Sequence, residues 1–219
     1  VRSHVPDIIV SDVMMPRMNG YELCKTIKED IAISHIPVIL LTAKDDKQSL
    51  ISGYKNGADG YLSKPFEVEM LMELIRNRLK NREYTKKRYL NAGLIPTPEE
   101  STISLTDETF LIKLNSIIQE NIENSNLGIQ FICQEVGLGR SSLYNKLKAL
   151  TGMGANEYIS KLRIEKAITL ISGTDMPFSE IAEKTGFTTP SYFSTAFKQY
   201  TGETPSQYKE RKKKGLTDQ

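Results

Sequence analysis

Three side chains near the start of the chain could do chemistry together: Asp12, Thr42 and Lys64, separated by 30 and 22 residues. Each follows a short apolar run. Pro6-Asp-Ile-Ile-Val10 leads to Asp12, Pro37-Val-Ile-Leu-Leu41 to Thr42, and Gly60-Tyr-Leu62 to Lys64. A carboxylate can be a nucleophile toward phosphorus, a hydroxyl can hydrogen-bond a phosphoryl oxygen, and an ammonium can offset its charge. A lone aspartate at such a point is usually an ordinary loop carboxylate. The three types together describe a phosphoacceptor.

The elements that would hold them follow from periodicity. The apolar runs have strand length, and between them lie amphipathic stretches at Gly20–Asp30, Asp46–Asn56 and Glu67–Lys80. Continuous apolar strands alternating with helices predict a parallel α/β sheet covered on both faces. In such sheets functional groups gather at the carboxyl ends of the strands, where Asp12, Thr42 and Lys64 fall. Residues 81–106 turn polar and contain Asn91-Ala-Gly-Leu-Ile-Pro-Thr-Pro98, which reads as a linker. From Asp107 onward the pattern is helical.

A second set of residues suits nucleic acid. The C-terminal half repeats weakly after about fifty residues: Ile132-Cys-Gln-Glu-Val-Gly137 corresponds to Ile181-Ala-Glu-Lys-Thr-Gly186, and Leu143 and Leu147 to Phe193 and Phe197. In each copy a short helix meets a glycine, turns, and a second helix begins. That is the order of a helix-turn-helix, whose second helix enters the major groove. At 100° per residue, Arg140, Ser141, Tyr144, Asn145 and Lys148 share one arc, with Leu143, Leu147 and Leu150 opposite. In the second copy Ser191, Tyr192, Thr195, Lys198 and Gln199 share an arc, and Phe193, Phe197 and Tyr200 are expected to face inward. Any one of these polar residues is equally well solvated surface; the grouped arcs carry donors and acceptors suited to base edges and phosphates. Between the copies, Asn156–Ile171 has no glycine or proline and reads as a helical bar. Such a bar could offset two reading heads along one face of DNA.

Charge agrees with this division. The whole chain has a net charge of only +2, but residues 129–214 carry thirteen basic and eight acidic side chains, against twelve of each in residues 1–83. The run Lys209-Glu-Arg-Lys-Lys-Lys214 supplies much of the excess, although alone it reads as a solvated tail. No apolar run approaches the ~20 residues of a membrane span. Cys24 and Cys133 fall in different segments and read as buried thiols in a reducing, cytoplasmic setting. The chain opens on Val1 rather than Met, which predicts a piece of a longer protein.

The motif Asp12-Val-Met-Met-Pro-Arg-Met-Asn-Gly20, the two spacings and Lys64-Pro65 resemble the response-regulator receiver family over residues 5–80. The resemblance implies that Asp12 is the phosphoacceptor, with Thr42 and Lys64 binding the phosphoryl group and Tyr61 as the switch aromatic. It also implies a cis Lys64-Pro65 bond, and Mg²⁺ held in the intact receiver partly by Asp12 and the Met14 carbonyl. Ile181-Ala-Glu-Lys-Thr-Gly-Phe187, Pro190-Ser-Tyr-Phe193 and Thr201-Gly-Glu-Thr-Pro-Ser-Gln-Tyr208 resemble the AraC-type regulators over about 107–212. By that resemblance Ser141, Tyr144, Asn145, Ser191, Tyr192 and Thr195 face bases, and Arg140 and Lys198 lie near phosphates. Pro190 departs from the pattern, but proline is tolerated in a helix's first turn.

The expected protein is therefore a truncated receiver at 1–80, a linker at 81–106, an all-α double helix-turn-helix domain at 107–212 and a tail at 213–219. Its sheet would be strands 3-4-5 of the family's 2-1-3-4-5 order. Expected partners are double-stranded DNA, a histidine kinase domain and, in the intact protein, a second copy through the receiver. The resemblance is to the end of a hybrid two-component sensor, whose intact form would carry kinase activity. No nucleotide-binding glycine loop or phosphodonor histidine context marks this chain as an enzyme. An alternative role for the receiver is docking or dimerisation without phosphate.

Eleven residues precede Asp12, so the family's first two strands and its acidic pair are expected to be missing. The strand before Asp12 would then become an edge, open to pairing with another chain. Asp12 and Met14 alone would be a poor octahedral Mg²⁺ site. Incubation with acetyl phosphate and Mg²⁺ is expected to leave this chain almost unmodified by mass spectrometry; stoichiometric aspartyl phosphate would overturn the expectation.

Overall fold

The computed structural model describes residues 1, 4–43, 57–92 and 104–217, with the side chains of 88–92 and 216–217 outside the described set. The helix expected at Asp46–Asn56 lies outside the described residues. Two compact units are present: one of Val1–Ile112 with Leu138–Gly152, the other of Lys113–Gly137 with Met153–Gln219. They do not follow the sequence boundary at 107, and the stretch from Leu138 belongs to the first.

The first unit contains three parallel strands in the order β1 (Ile9–Asp12), β2 (Val38–Ala43), β3 (Gly60–Lys64). β1 starts at Ile9, later than the expected Pro6, and is an outer strand of this sheet. Val38, Ile39 and Leu40 are fully buried, as an apolar central strand should be. Helix α1 (Gly20–Glu29) begins with a capping box in which Asn19 and Glu22 each accept the other's backbone N–H, at 2.9 and 3.2 Å. It packs Cys24 and Ile27 against Ile36, Val38 and Leu40.

Helix α2 (Val68–Ala92) overruns the boundary drawn at 80. Residues 81–92, expected as linker, are helical. Their polarity misled because a helix bearing charges can be held by side-chain pairs three or four residues apart, such as Lys86 with Glu83 at 2.5 Å. Helix α3 (Leu105–Glu120) follows. Helix α5 (Arg140–Thr151) also belongs to the first unit and packs along α2.

The second unit contains α4 (Ile129–Val136), α6 (Ala155–Gly173), α7 (Phe178–Lys184), α8 (Pro190–Thr201) and α9 (Pro205–Thr217). Its core joins Ile164, Ala167 and Ile171 of α6 to Ile181, Ala182, Phe187, Phe193 and Phe197. Phe187, Phe193, Phe197 and Tyr208 meet in successive edge-on or tilted pairs with centroids 5.4 to 5.7 Å apart. Arg163 of α6 is buried, donates to the Asn124 carbonyl at 2.7 Å and lies 6.0 Å from the Phe187 ring centre. Among the described residues no helix is long and apolar enough to cross a membrane.

Gly137 and Gly186 both adopt a φ of +71° where the first helix of each repeat ends. A β-carbon at Gly137 would meet nothing within 4 Å, whereas at Gly186 it would collide with the Ile122 carbonyl oxygen and the Arg163 guanidinium. Gly137→Ala should therefore cost only the left-handed backbone penalty of roughly 1–2 kcal/mol. Gly186→Ala should cost more than about 3 kcal/mol, because a backbone oxygen cannot step aside cheaply. Denaturant midpoints check the contrast; equal losses would refute it.

Candidate functional site

Asp12 is the last residue of β1, and the register places it beside Leu41. Thr42 is the next residue along β2, and Ala43 lies beside Lys64, the last residue of β3. Parallel pairing thus brings the three predicted residues to one end of the sheet. The Lys64 ammonium is in direct contact with Oδ2 of Asp12, and the backbone N–H of Met14 donates to Oδ1 at 3.0 Å. The lysine hydrogen bond, then the Met14 amide, hold the Asp12 carboxyl below its ordinary pKa. Both side chains remain partly open to solvent.

Thr42 is buried and its hydroxyl donates to the Ala43 carbonyl at 2.9 Å. Tyr61, half-buried on β3, packs against the core beneath α1. The Lys64-Pro65 peptide is cis. Gly20 closes the loop begun at Asp12: its N–H donates to the Val13 carbonyl at 2.9 Å. A β-carbon there would sit 2.5 Å from the Asp12 carbonyl oxygen, so the loop can pass under Asp12 only at a glycine.

Mg²⁺ fits these residues poorly. Asp12 is one carboxylate, already engaged by Lys64 and Met14, and Mg²⁺ requires near-octahedral oxygen ligation. Among the described residues no cluster of three or more His, Cys, Asp or Glu could hold a metal ion.

The residues of the two polar arcs lie on two separate helices. On α5, Arg140, Ser141, Tyr144 and Lys148 are exposed and Asn145 is half-buried, while Leu143, Leu147 and Leu150 are buried. Tyr144 keeps 54% of its surface, as does Tyr192 on α8. On α8, Ser191, Tyr192, Thr195, Lys198 and Gln199 are exposed, and Phe193 and Phe197 are fully buried. Tyr200, expected inward, is 41% exposed. It follows the two phenylalanines along the helix, and its slot falls past their stripe. Pro190 occupies the first turn, and the Thr189 hydroxyl accepts from the Tyr192 N–H at 3.1 Å, so the proline marks the helix start.

Lys146 escaped sequence reading. It lies on α5 beside the arc but is completely buried. No residue-type signal separates it from the solvated lysines nearby.

A model of the response regulator receiver domain matches residues 1–76, and a helix-turn-helix domain model matches residues 132–211. The chain is 42% identical over 210 residues to part of histidine kinase P4 of Formosa agariphila, covering 96% of this chain and 15% of that protein. It is 32% identical over 162 residues to the probable transcriptional regulator ycf29 of Pyropia yezoensis, covering 69% and 73%. A solved structure, the C-terminal domain of the two-component response regulator yesN from Fusobacterium nucleatum, is 32% identical with a TM-score of 0.42, covering 44% of this chain and 93% of that one.

The Asp12–Lys64 contact has a direct readout. A depressed carboxylate pKa means that the favourable contact is present above the ordinary carboxylate range and is lost as pH falls through the folded value. Lys64→Met removes the leading cause and should raise the Asp12 midpoint toward the ordinary range. Carboxyl carbon NMR shifts measure this; an unmoved midpoint would show that the pair does not form in solution.

Proposed function

The chain belongs to the two-component response regulators, a receiver joined to an AraC-type helix-turn-helix domain, and from that premise we propose that it reads a specific DNA sequence through α5 and α8, a reading controlled in a longer parent protein by phosphorylation at Asp12. The observation that carries the reading is the two-sidedness of both helices. Each buries a stripe of leucine or phenylalanine and leaves hydroxyl, phenol and cationic groups in water, with the Asn145 amide half-exposed beside them. Asn145 suits an adenine edge, Arg140, Lys148 and Lys198 suit guanine or phosphate, and Tyr144 and Tyr192 suit a thymine methyl or a phosphate. The two arcs differ in composition, so the proposed site is asymmetric and read by one chain.

Asp12 is proposed to accept a phosphoryl group, Lys64 to offset the added charge, and Thr42 to turn its hydroxyl from the Ala43 carbonyl toward the new oxygens. The chain spans 15% of the kinase it resembles along almost its whole length. That likeness supports a longer parent in which a histidine kinase domain supplies the phosphoryl group, with Mg²⁺ ligands from the rest of the receiver. Such a parent would pair through its receivers.

Selection from a randomised duplex pool tests the DNA reading. The chain should enrich two unlike subsites with affinity that falls steeply as salt rises. Asn145→Ala should relax preference at one subsite and Thr195→Ala at the other, each by roughly 1–3 kcal/mol if the residue reads a base. No enrichment, or uniform loss from both variants, would reject the assignment.

A further inference from the structure

Lys146 belongs to neither side of α5 as the reading function defines them. At 100° per residue it stands about 100° beyond Asn145, the last member of the polar arc, and on the flank away from Arg140. It has no accessible surface at all. A buried ammonium is costly unless its charge is matched and its protons are accepted, so its partners have to be found.

They come from two other segments of the same compact unit. The Lys146 ammonium contacts Oδ1 of Asp107, in the first turn of α3, and donates to the Ser34 hydroxyl at 2.7 Å. The Ser34 hydroxyl in turn donates to Asp107 Oδ1 at 2.7 Å, closing a three-membered ring of contacts. The Phe110 ring presents its face 5.0 Å from the ammonium. Ser34 is fully buried and Asp107 nearly so. A second tie lies beside the ring, where the Thr106 hydroxyl donates to the Lys28 carbonyl at 3.1 Å.

Burial raises the pKa of Asp107, but the charge and hydrogen bond of Lys146, with the hydroxyls of Ser34 and Ser104, outweigh it and hold the carboxyl below the usual range. Burial pulls the Lys146 ammonium down, against Asp107. The ionised pair is the state the contacts fit, since both acceptors face an ammonium. His35, next to Ser34, adds no rival charge. Burial, then Lys146, pushes its pKa down to about 4, and neither ring nitrogen has a partner among the described residues.

Ser34 lies in the connection between α1 and β2, at the amino end of the sheet and opposite Asp12. The receiver therefore grips a recognition helix from its far end. The grip does not cover the reading surface, because Arg140, Ser141, Tyr144 and Lys148 stay exposed. It fixes rotation instead. Turning α5 by one residue position would carry the ammonium out of its pocket and strand Asp107 without a counter-charge.

We infer that Lys146, Asp107 and Ser34 are positioning residues for the first reading head: the receiver sets the rotation of α5, and with it which side chains meet the bases, without touching DNA. The inference rests on the proposed DNA-reading role. Its test uses the full chain and the same duplex selection. Ser34→Ala removes only the receiver's share of the ring. Asp107→Asn with Lys146→Met removes both charges together, so neither is left unpaired.

If the inference holds, both variants keep the helical circular dichroism of the parent chain. Base preference at the α5 subsite should fall by about tenfold or more, in line with the loss of a hydrogen bond to a charged group. Preference at the α8 subsite should stay within twofold. Hydrogen exchange of the Leu143–Leu150 amides should quicken in both. Unchanged preference at the α5 subsite would overturn the inference, and so would equal loss at both subsites, which marks a merely structural role. If the parent chain selects no DNA, it is the proposed function that fails, and the exchange measurement alone then decides whether the receiver holds α5.

Discussion

A recognition helix has two obligations that conflict. It must bury one side to be held at all, because twelve residues of isolated helix are marginal in water, and it must leave another side bare for DNA. Both helices proposed to read DNA meet this by the same division. Leucine or phenylalanine recurs four residues apart on one side, as Leu143 and Leu147 or Phe193 and Phe197, all fully buried. Hydroxyl, amide and cationic groups occupy the other. The surrounding devices keep that division from rotating. Gly137 and Gly186 end the preceding helices in left-handed turns, and Thr189 with Pro190 fixes where α8 starts. On α5 no side chain caps the start, and the Lys146 ring supplies a third hold.

Two of the lysine–aspartate contacts among the described residues have opposite energetic meanings. Lys64 and Asp12 remain partly solvated, and exposed ion pairs contribute roughly 0–1 kcal/mol. Their contact adds little to stability and is free to be remodelled, which suits a carboxylate proposed to accept a phosphoryl group. Lys146 and Asp107 are out of water. Breaking such a pair by removing one partner costs roughly 3–5 kcal/mol, although the intact pair need not outdo an apolar core. A pair of that kind is better suited to specifying one arrangement than to strengthening the fold. Residue type alone would rank the two contacts alike; exposure separates them.

Much of this was legible in the sequence for a physical reason. Asp12, Thr42 and Lys64 announce themselves because a strand end is a fixed place in a parallel sheet, so spacing along the chain becomes proximity in space. Leu143 and Phe193 announce themselves because helical periodicity reports burial. Three features escaped. Residues 81–92 have the polar composition of a linker, yet charged residues at helical spacing extend α2 to Ala92. Tyr200 falls inward by angle, but the angle cannot tell how far a core extends. Lys146 was invisible because its partners, Ser34 and Asp107, lie 112 and 39 residues away. Local pattern carries no information about pairing at that distance.

The sheet itself joins the two sites. β2 begins three residues after His35 and ends just past Thr42, and its six residues span roughly 20 Å. Val38, Ile39 and Leu40 are buried without exposed surface, so this strand is closely packed along the length that separates Ser34 from Thr42. The geometry constrains the kinds of control available to the receiver. Occlusion of α5 is a poor fit, because the reading arc lies open while the helix is held. Release or rotation of α5 fits better, because the hold depends on a hydroxyl and a charge that meet in one place. On the proposed reading, a regulator built this way would alter what its helix presents rather than whether the helix is covered.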